Sequence, residues 1–229
     1  MLTVENLTVR YGRKKVVDQV SFSVPENSVT ALIGLNGSGK TSIMNAMVGL
    51  LNNATGKVLV DGESWSEKSL EKVTLVPDHL AMVPGQRVEE ALEMMDTFYS
   101  NYNPERAESL LEFFKLNKKD VISHLSKGNQ MKLNMLMSLS LDFQYLLMDE
   151  PFSGIDIFSK EELLNVFTSD ILQGRGVLLT THAIEEVEQL ADRVILLKNG
   201  SIVRAFDVEE VREQENKSIT DVMREVYQG

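Results

Sequence analysis

No cysteine occurs among the 229 residues. That removes disulfides, thiolate-bound metals, iron–sulfur clusters and thiol nucleophiles from consideration. Long apolar runs are missing too: stretches such as Val177–Leu179 and Val194–Leu197 stop far short of the roughly 20 residues that span a bilayer. The N-terminus, Met1 to Val9, carries Glu5 and alternates apolar with polar residues, so it lacks the basic start and apolar core of a signal peptide and reads as a strand. Positive charge is scarce. Lys plus Arg number 23 against 34 Asp plus Glu, a net charge of −11, which repels phosphate backbones and argues against nonspecific nucleic-acid binding. The tight basic run Arg13-Lys14-Lys15 lies beside a turn and reads as solvated surface. Repeats and low-complexity segments are absent as well.

What is present suits a folded domain. Hydrophobic residues make up 43%, and the length allows one large domain or one with a subdomain. Residues 2–9, 16–24 and 29–33 are rich in Val, Thr, Phe and Leu and are punctuated by Gly12 and Pro25-Glu26-Asn27, which predicts a β-rich opening. Val58–Val60 running into Asp61-Gly62, and Val73–Val76 ending at Pro77, extend it. The character then changes. Val88, Leu92, Met95 and Tyr99 fall at helical spacing, and Asn103 with Pro104 is positioned to start a second helix whose Leu110, Leu111 and Phe114 share a face. Residues from about 85 to 141 are therefore expected to be mostly helical. Tyr145–Met148 and Val177–Thr180 read as strands buried on both faces, separated by a helix over Lys160–Leu172, which is the logic of a βαβ unit. Val194–Leu197, Asn199-Gly200 and Ile202-Val203 read as a hairpin with a type I′ turn. A charged, helical tail from Val208 to Gln228 is expected to pack on the body.

Three segments carry chemistry. Gly34-Leu35-Asn36-Gly37-Ser38-Gly39-Lys40-Thr41 fits G-x-x-x-x-G-K-[ST], preceded by an apolar strand and followed by helix-compatible Ser42–Val48. In such a loop the backbone N–H groups close around phosphates at a helix N-terminus, Lys40 supplies a point charge, and Thr41 offers a hydroxyl to Mg²⁺. Leu146-Leu147-Met148 delivers Asp149 and Glu150 at the C-terminal end of a strand, where open α/β sheets bind ligands. Asp149 suits Mg²⁺, and Glu150 suits polarising a water beside the γ-phosphate. These residues define a P-loop NTPase. Leu125-Ser126-Lys127-Gly128-Asn129 lies between the two motifs, ahead of a helical run near Gln130.

That third string resembles the LSGGQ signature of ABC ATPases, and the family's remaining marks follow in order: Tyr11, Ser153-Gly154-Ile155-Asp156 and His182. Together they cover nearly the whole chain. The resemblance implies an ABC-type α/β core over 1–77 and 142–229 with an N-terminal antiparallel β layer, and a helical subdomain over 78–141, all in a single ABC ATPase domain. It places Tyr11 on adenine and Gly34, Asn36, Gly37, Ser38, Gly39, Lys40, Thr41 and Ser42 on the nucleotide. Thr41 and Asp149 fall to Mg²⁺, Glu150 and His182 to catalysis, and Asp156 to the D-loop. Ser126 and Gly128 would act in trans, on the γ-phosphate held by a second copy or by a different ATPase chain, hence a homodimer or heterodimer.

Two departures stand out. Where the family carries a Gln after the strand before the helical subdomain, this chain has Asp78, which accepts from a metal-bound water but cannot donate, and which adds charge near Asp149 and Glu150. The signature has Lys127 for a Gly and Asn129 for a Gln, a form similar to that of small bacterial ABC ATPases linked to export of peptides and antibiotics. The resemblance implies an ATP-hydrolysing subunit at the cytoplasmic face of the membrane, working with a separate transmembrane permease and without nucleic acid. The alternatives are a soluble ABC ATPase acting on ribosomes or nucleic acid, and a weakly hydrolysing regulatory subunit.

Overall fold

Apolar residues sit at even positions early in the first strand and at odd positions later, a switch that only an extra residue can accommodate. In the computed structural model, which describes residues 1–79, 85–182, 184 and 186–228, β1 (Leu2–Tyr11) buries Leu2 and Val4, then Leu7 and Val9. Asn6 between them adopts φ 51°, and its pairing with both neighbours shifts register across Val4–Thr8. The bulge keeps the apolar set on one face. β1 lies between antiparallel β2 (Lys14–Val24) and β4 (Ala54–Val60), with the short β5 (Glu63–Ser64) beyond. Asp61 and Gly62, both at positive φ, form the tight turn between β4 and β5.

A second sheet has the order β10-β9-β3-β8-β7-β6. β3 (Ser28–Gly34), β6 (Val73–Val76), β7 (Tyr145–Asp149), β8 (Gly176–Thr181) and β9 (Arg193–Lys198) pair in parallel. β10 (Ser201–Asp207) returns antiparallel through Asn199-Gly200, both at positive φ as a type I′ turn demands. β7 and β8 are buried throughout, and successive residues serve opposite cores. Leu146 and Met148 join the cluster under the helices, while Tyr145 and Leu147 join the one shared with the first sheet and α1 (Lys40–Met47).

Between β6 and β7 the chain is helical: α2 (Val88–Phe98), α3 (Pro104–Phe114) and α4 (Lys127–Leu139). Asn103 caps α3 by accepting from the Arg106 amide at 2.9 Å, and Leu110, Leu111 and Phe114 are buried. Tyr99 differs from expectation. It stands just beyond α2 and is exposed, so the buried face is Val88, Ala91, Leu92 and Met95. α4 starts three residues before Gln130, because Ser126 serves as its N-cap. The expected helix over 160–172 is α5 (Ile157–Phe167) followed by a separate 3₁₀ turn (Asp170–Leu172). Buried Lys132 on α4 pairs with Glu162 of α5, which also takes Lys115 at 3.0 Å. Beyond the short α6 (Val187–Leu190), the tail forms α7 (Val208–Glu215) and α8 (Ile219–Gln228). Ile219, Val222 and Met223 are buried, so the tail packs on the body as expected.

Candidate active site

The parallel order β3-β8-β7 brings three C-terminal strand ends together, the edge at which such sheets bind ligands. β3 runs out at Gly34 and the chain loops into α1, whose N-terminus begins at Lys40 with Gly39 as cap at φ 111°. That conformation suits glycine alone, and a Cβ there would also press to 3.0 Å from the Val16 carbonyl. The loop surrounds a cavity of about 350 Å³ lined by Val16, Asn36, Gly37, Gly39, Lys40, Thr41, Ser42, Asp78, His79, Lys127, Glu150, Ser153 and His182.

The ionic centre of this cavity is Glu150. Its backbone sits at φ 49°, a region costly for a side-chain-bearing residue. The amide is held there by the Thr180 carbonyl at 3.2 Å and the Thr180 hydroxyl at 3.0 Å. One carboxylate oxygen pairs with Lys40 Nζ at 3.0 Å and the other meets His182 Nδ1 at 2.8 Å. Lys40 also donates to the Gly34 carbonyl at 2.7 Å. The Thr180 hydroxyl, accepting from Glu150, donates in turn to Asp149 Oδ1 at 2.5 Å. Adjacent carboxylates are thus oriented by one residue of the neighbouring strand β8.

Asp149 is buried and also receives the Thr41 hydroxyl. Its pKa is raised, first by burial and further by the charges of Asp78 and Glu150, against the lowering effect of the two hydroxyl bonds. A hydroxyl and carboxylates around a phosphate loop are a hard oxygen set that suits Mg²⁺, an ion that keeps waters and takes only one or two carboxylates from protein. No cluster of three or more His, Cys, Asp or Glu fit to hold a metal exists among the described residues.

Most expected site residues converge here, namely Asn36, Gly37, Gly39, Lys40, Thr41, Ser42, Asp78, Glu150 and His182, with Asp149 beneath them. Gly34 and Ser38 form the buried back of the loop. Tyr11 is exposed at the end of β1 and does not line the cavity. Ser126 and Gly128 do not line it either. Gly128 packs on α5, where an added Cβ would come within 2.3 Å of Ser159 Oγ. Asp156 caps α5, accepting from the amides of Phe158 and Ser159 at 3.1 and 3.0 Å and from the Ser159 hydroxyl at 2.7 Å. Sequence reasoning missed Lys127, which reaches past Gly154 into the cavity, and Thr180. Lys127 was signalled only by its place in the signature string, and Thr180 by nothing local.

A family model described as ABC transporter matches residues 17–153. An uncharacterized ABC transporter ATP-binding protein of Methanocaldococcus jannaschii is 32% identical over 92% of this chain and 79% of its own length. The lipopolysaccharide export system ATP-binding protein LptB of Haemophilus influenzae is 28% identical over 100% of this chain and 97% of its own. A solved structure, an ATP-binding subunit of an ABC transporter, superposes with a TM-score of 0.87 at 25% identity, covering 98% of both chains.

Proposed function

This chain belongs to the ABC transporter family as an ATP-binding subunit, and from that premise we propose that it hydrolyses ATP to drive export through a separate membrane-spanning subunit. The observation that carries the catalytic part is the meeting of Lys40, Asp78, Glu150 and His182 in one cavity at the mouth of the phosphate loop. Lys40 and the loop amides bind the β- and γ-phosphates. Thr41 and Asp149 would hold Mg²⁺, and Asp78 would accept a hydrogen bond from water at that site. Bound there, the ion neutralises charge on the phosphates. Glu150 accepts a proton from the attacking water, and His182, on the other carboxylate oxygen, fixes the direction of that acceptance. Tyr11 lies against adenine.

Ser126 and Gly128 lie outside their own chain's cavity, which supports a signature acting on the nucleotide of a second ATPase chain. Asp156 holds the start of α5 in shape beside Gly128. The permease has a fitting seat in a largely apolar groove of about 550 Å³ between β6 and the helices, lined by residues including Leu50, Leu70, Phe98 and Tyr99, all four exposed. We assign the moving unit to residues 78–141, which form one wall of this groove and carry the signature. No helix among the described residues is long and apolar enough to cross a membrane. Export is favoured because several relatives carry it in their names, for lipopolysaccharide, for the SkfA peptide and for Nod factor; a small toxic peptide or antibiotic is our choice of cargo on the form of the signature.

The test is purification from native membranes in mild detergent, followed by ATPase assay of the complex. A stoichiometric polytopic partner that stimulates hydrolysis is expected. Recovery with ribosomes or DNA, and no membrane protein, would overturn the transport reading.

A further inference from the structure

The far end of the chain touches the base of the phosphate loop. The Tyr227 hydroxyl on α8 donates to the Leu197 carbonyl at 2.9 Å and lies 3.3 Å from the Ile33 carbonyl. These carbonyls end adjacent parallel strands, where Gly34 is opposite Leu197. Gly34 is packed so closely that an added Cβ would stand 2.7 Å from the Leu197 oxygen and 2.4 Å from Ser38 Oγ. One turn further, the Gly200 amide donates to the Ser38 carbonyl at 3.1 Å. The β9–β10 hairpin is therefore the floor of the loop, and Tyr227 holds that floor from below.

α8 itself is firmly seated. Beyond its buried Ile219 and Val222, the Thr220 amide and hydroxyl donate to Glu188 Oε1 at 2.9 and 3.0 Å, and Lys198 Nζ donates to the Val226 carbonyl at 3.0 Å. Burial pushes the Tyr227 hydroxyl pKa up, which keeps its proton in place as a donor at neutral pH. The helix lies outside the residues matched by the family model.

We infer that Tyr227 is a positioning residue for the phosphate-binding loop, acting through the Leu197 and Ile33 carbonyls, so that α8 belongs to the nucleotide-binding apparatus rather than to a passive tail. The inference rests on the reading of this loop as the ATP site. With the hydroxyl gone, the Leu197 carbonyl is free to tilt, the support under Gly34 loosens, and the loop amides lose the fixed arrangement on which phosphate binding depends.

The experiment uses the full chain with a fluorescent ATP analogue, in parallel with amide hydrogen exchange. Four proteins are compared: wild type, Tyr227→Phe, Lys217→Ala and Lys40→Ala. Tyr227→Phe keeps the ring packing and should weaken analogue binding about three- to tenfold, the worth of one hydrogen bond, with faster exchange confined to residues 34–41. Lys217→Ala cuts the ion pairs of the α7–α8 connection to Glu215 of α7 and Glu225 of α8, and should leave affinity unchanged. Wild-type affinity in Tyr227→Phe overturns the inference, as does an equal loss in Lys217→Ala, which would show that general loosening of the tail suffices. A wild-type protein that fails to bind the analogue, or one matched by Lys40→Ala, overturns instead the reading of the ATP site.

Discussion

Replacing Glu150 by Gln separates two roles that the structure gives to one carboxylate. Lys40 is engaged at 3.0 Å by Glu150 and at 2.7 Å by the Gly34 carbonyl, and both members of the ion pair are well buried, with side-chain exposures of 6% and 17%. An arriving triphosphate must take Lys40 from that carboxylate. Hydrogen bonds to charged groups contribute about 1.5–3 kcal/mol net. Gln retains an acceptor oxygen but no charge, so it gives back about 1–2 kcal/mol to binding, or roughly 5- to 30-fold tighter ATP. The same change removes the proton acceptor and should lower turnover by at least ~100-fold. Equilibrium binding of ATP and steady-state phosphate release, measured on one preparation of each protein, decide the matter. Unaltered affinity would refute Lys40–Glu150 as the contact that ATP displaces, and wild-type turnover would refute Glu150 as the base.

Gly128→Ala forces a methyl to within 2.3 Å of Ser159 Oγ and 2.7 Å of its Cβ, an overpacking of about 2 kcal/mol that should lower Tm by roughly 4–8 °C; an unchanged calorimetric Tm would show that α4 and α5 separate freely. Ser126→Arg should abolish hydrolysis while each chain still binds nucleotide, and retained phosphate release would remove the trans role of the signature. Tyr145→Phe deletes the hydroxyl that lies 2.7 Å from both Glu26 and Asp61 and shares its one proton between them. The Glu26 pKa is lowered first by that hydroxyl, and the Asp61 pKa first by Lys72 and then by the N-terminal amine, with Tyr145 a further lowering cause. Folded-state pKa values below the unfolded ones give stability that is present above the unfolded values and lost as pH falls toward the folded ones. The variant should therefore melt roughly 2–6 °C lower at pH 7, with the gap closing below about pH 4; a gap independent of pH would contradict the assignment.

Local chemistry was legible wherever one segment carried its own signal. Asn103-Pro104 announced the start of α3, Asn199-Gly200 its type I′ turn, and the apolar strand before Asp149-Glu150 its place at the sheet edge. Boundaries failed where a single local side-chain hydrogen bond decided them. Ser126 captures the start of α4 by accepting from the Asn129 amide at 3.2 Å, although Gly128 in the first turn weakens the helical pattern. Thr168 and Ser169 end α5 because the Ser169 hydroxyl turns back to the Val166 carbonyl at 2.6 Å. Within the cavity, the motif residues were readable because loop and strand end each have a recognisable string. Thr180, which aligns both carboxylates, and Tyr227, which meets Ile33 across 194 positions of sequence, carry no such string, since their roles exist only once distant strands are side by side.

The order of the central sheet also sets a schedule for synthesis. β3, which carries the phosphate loop, pairs with β8 and β9, and its first partner begins at Gly176, about 140 residues later in the chain. At about 5–20 residues per second, the ribosome leaves this strand, with its apolar Ala31-Leu32-Ile33, without partners for roughly 10–30 s. Competence to bind nucleotide then waits for β8 and β9, so a product that stops before them emerges with its strand edges open and its loop unsupported, a species for chaperones and proteases rather than a partly working ATPase.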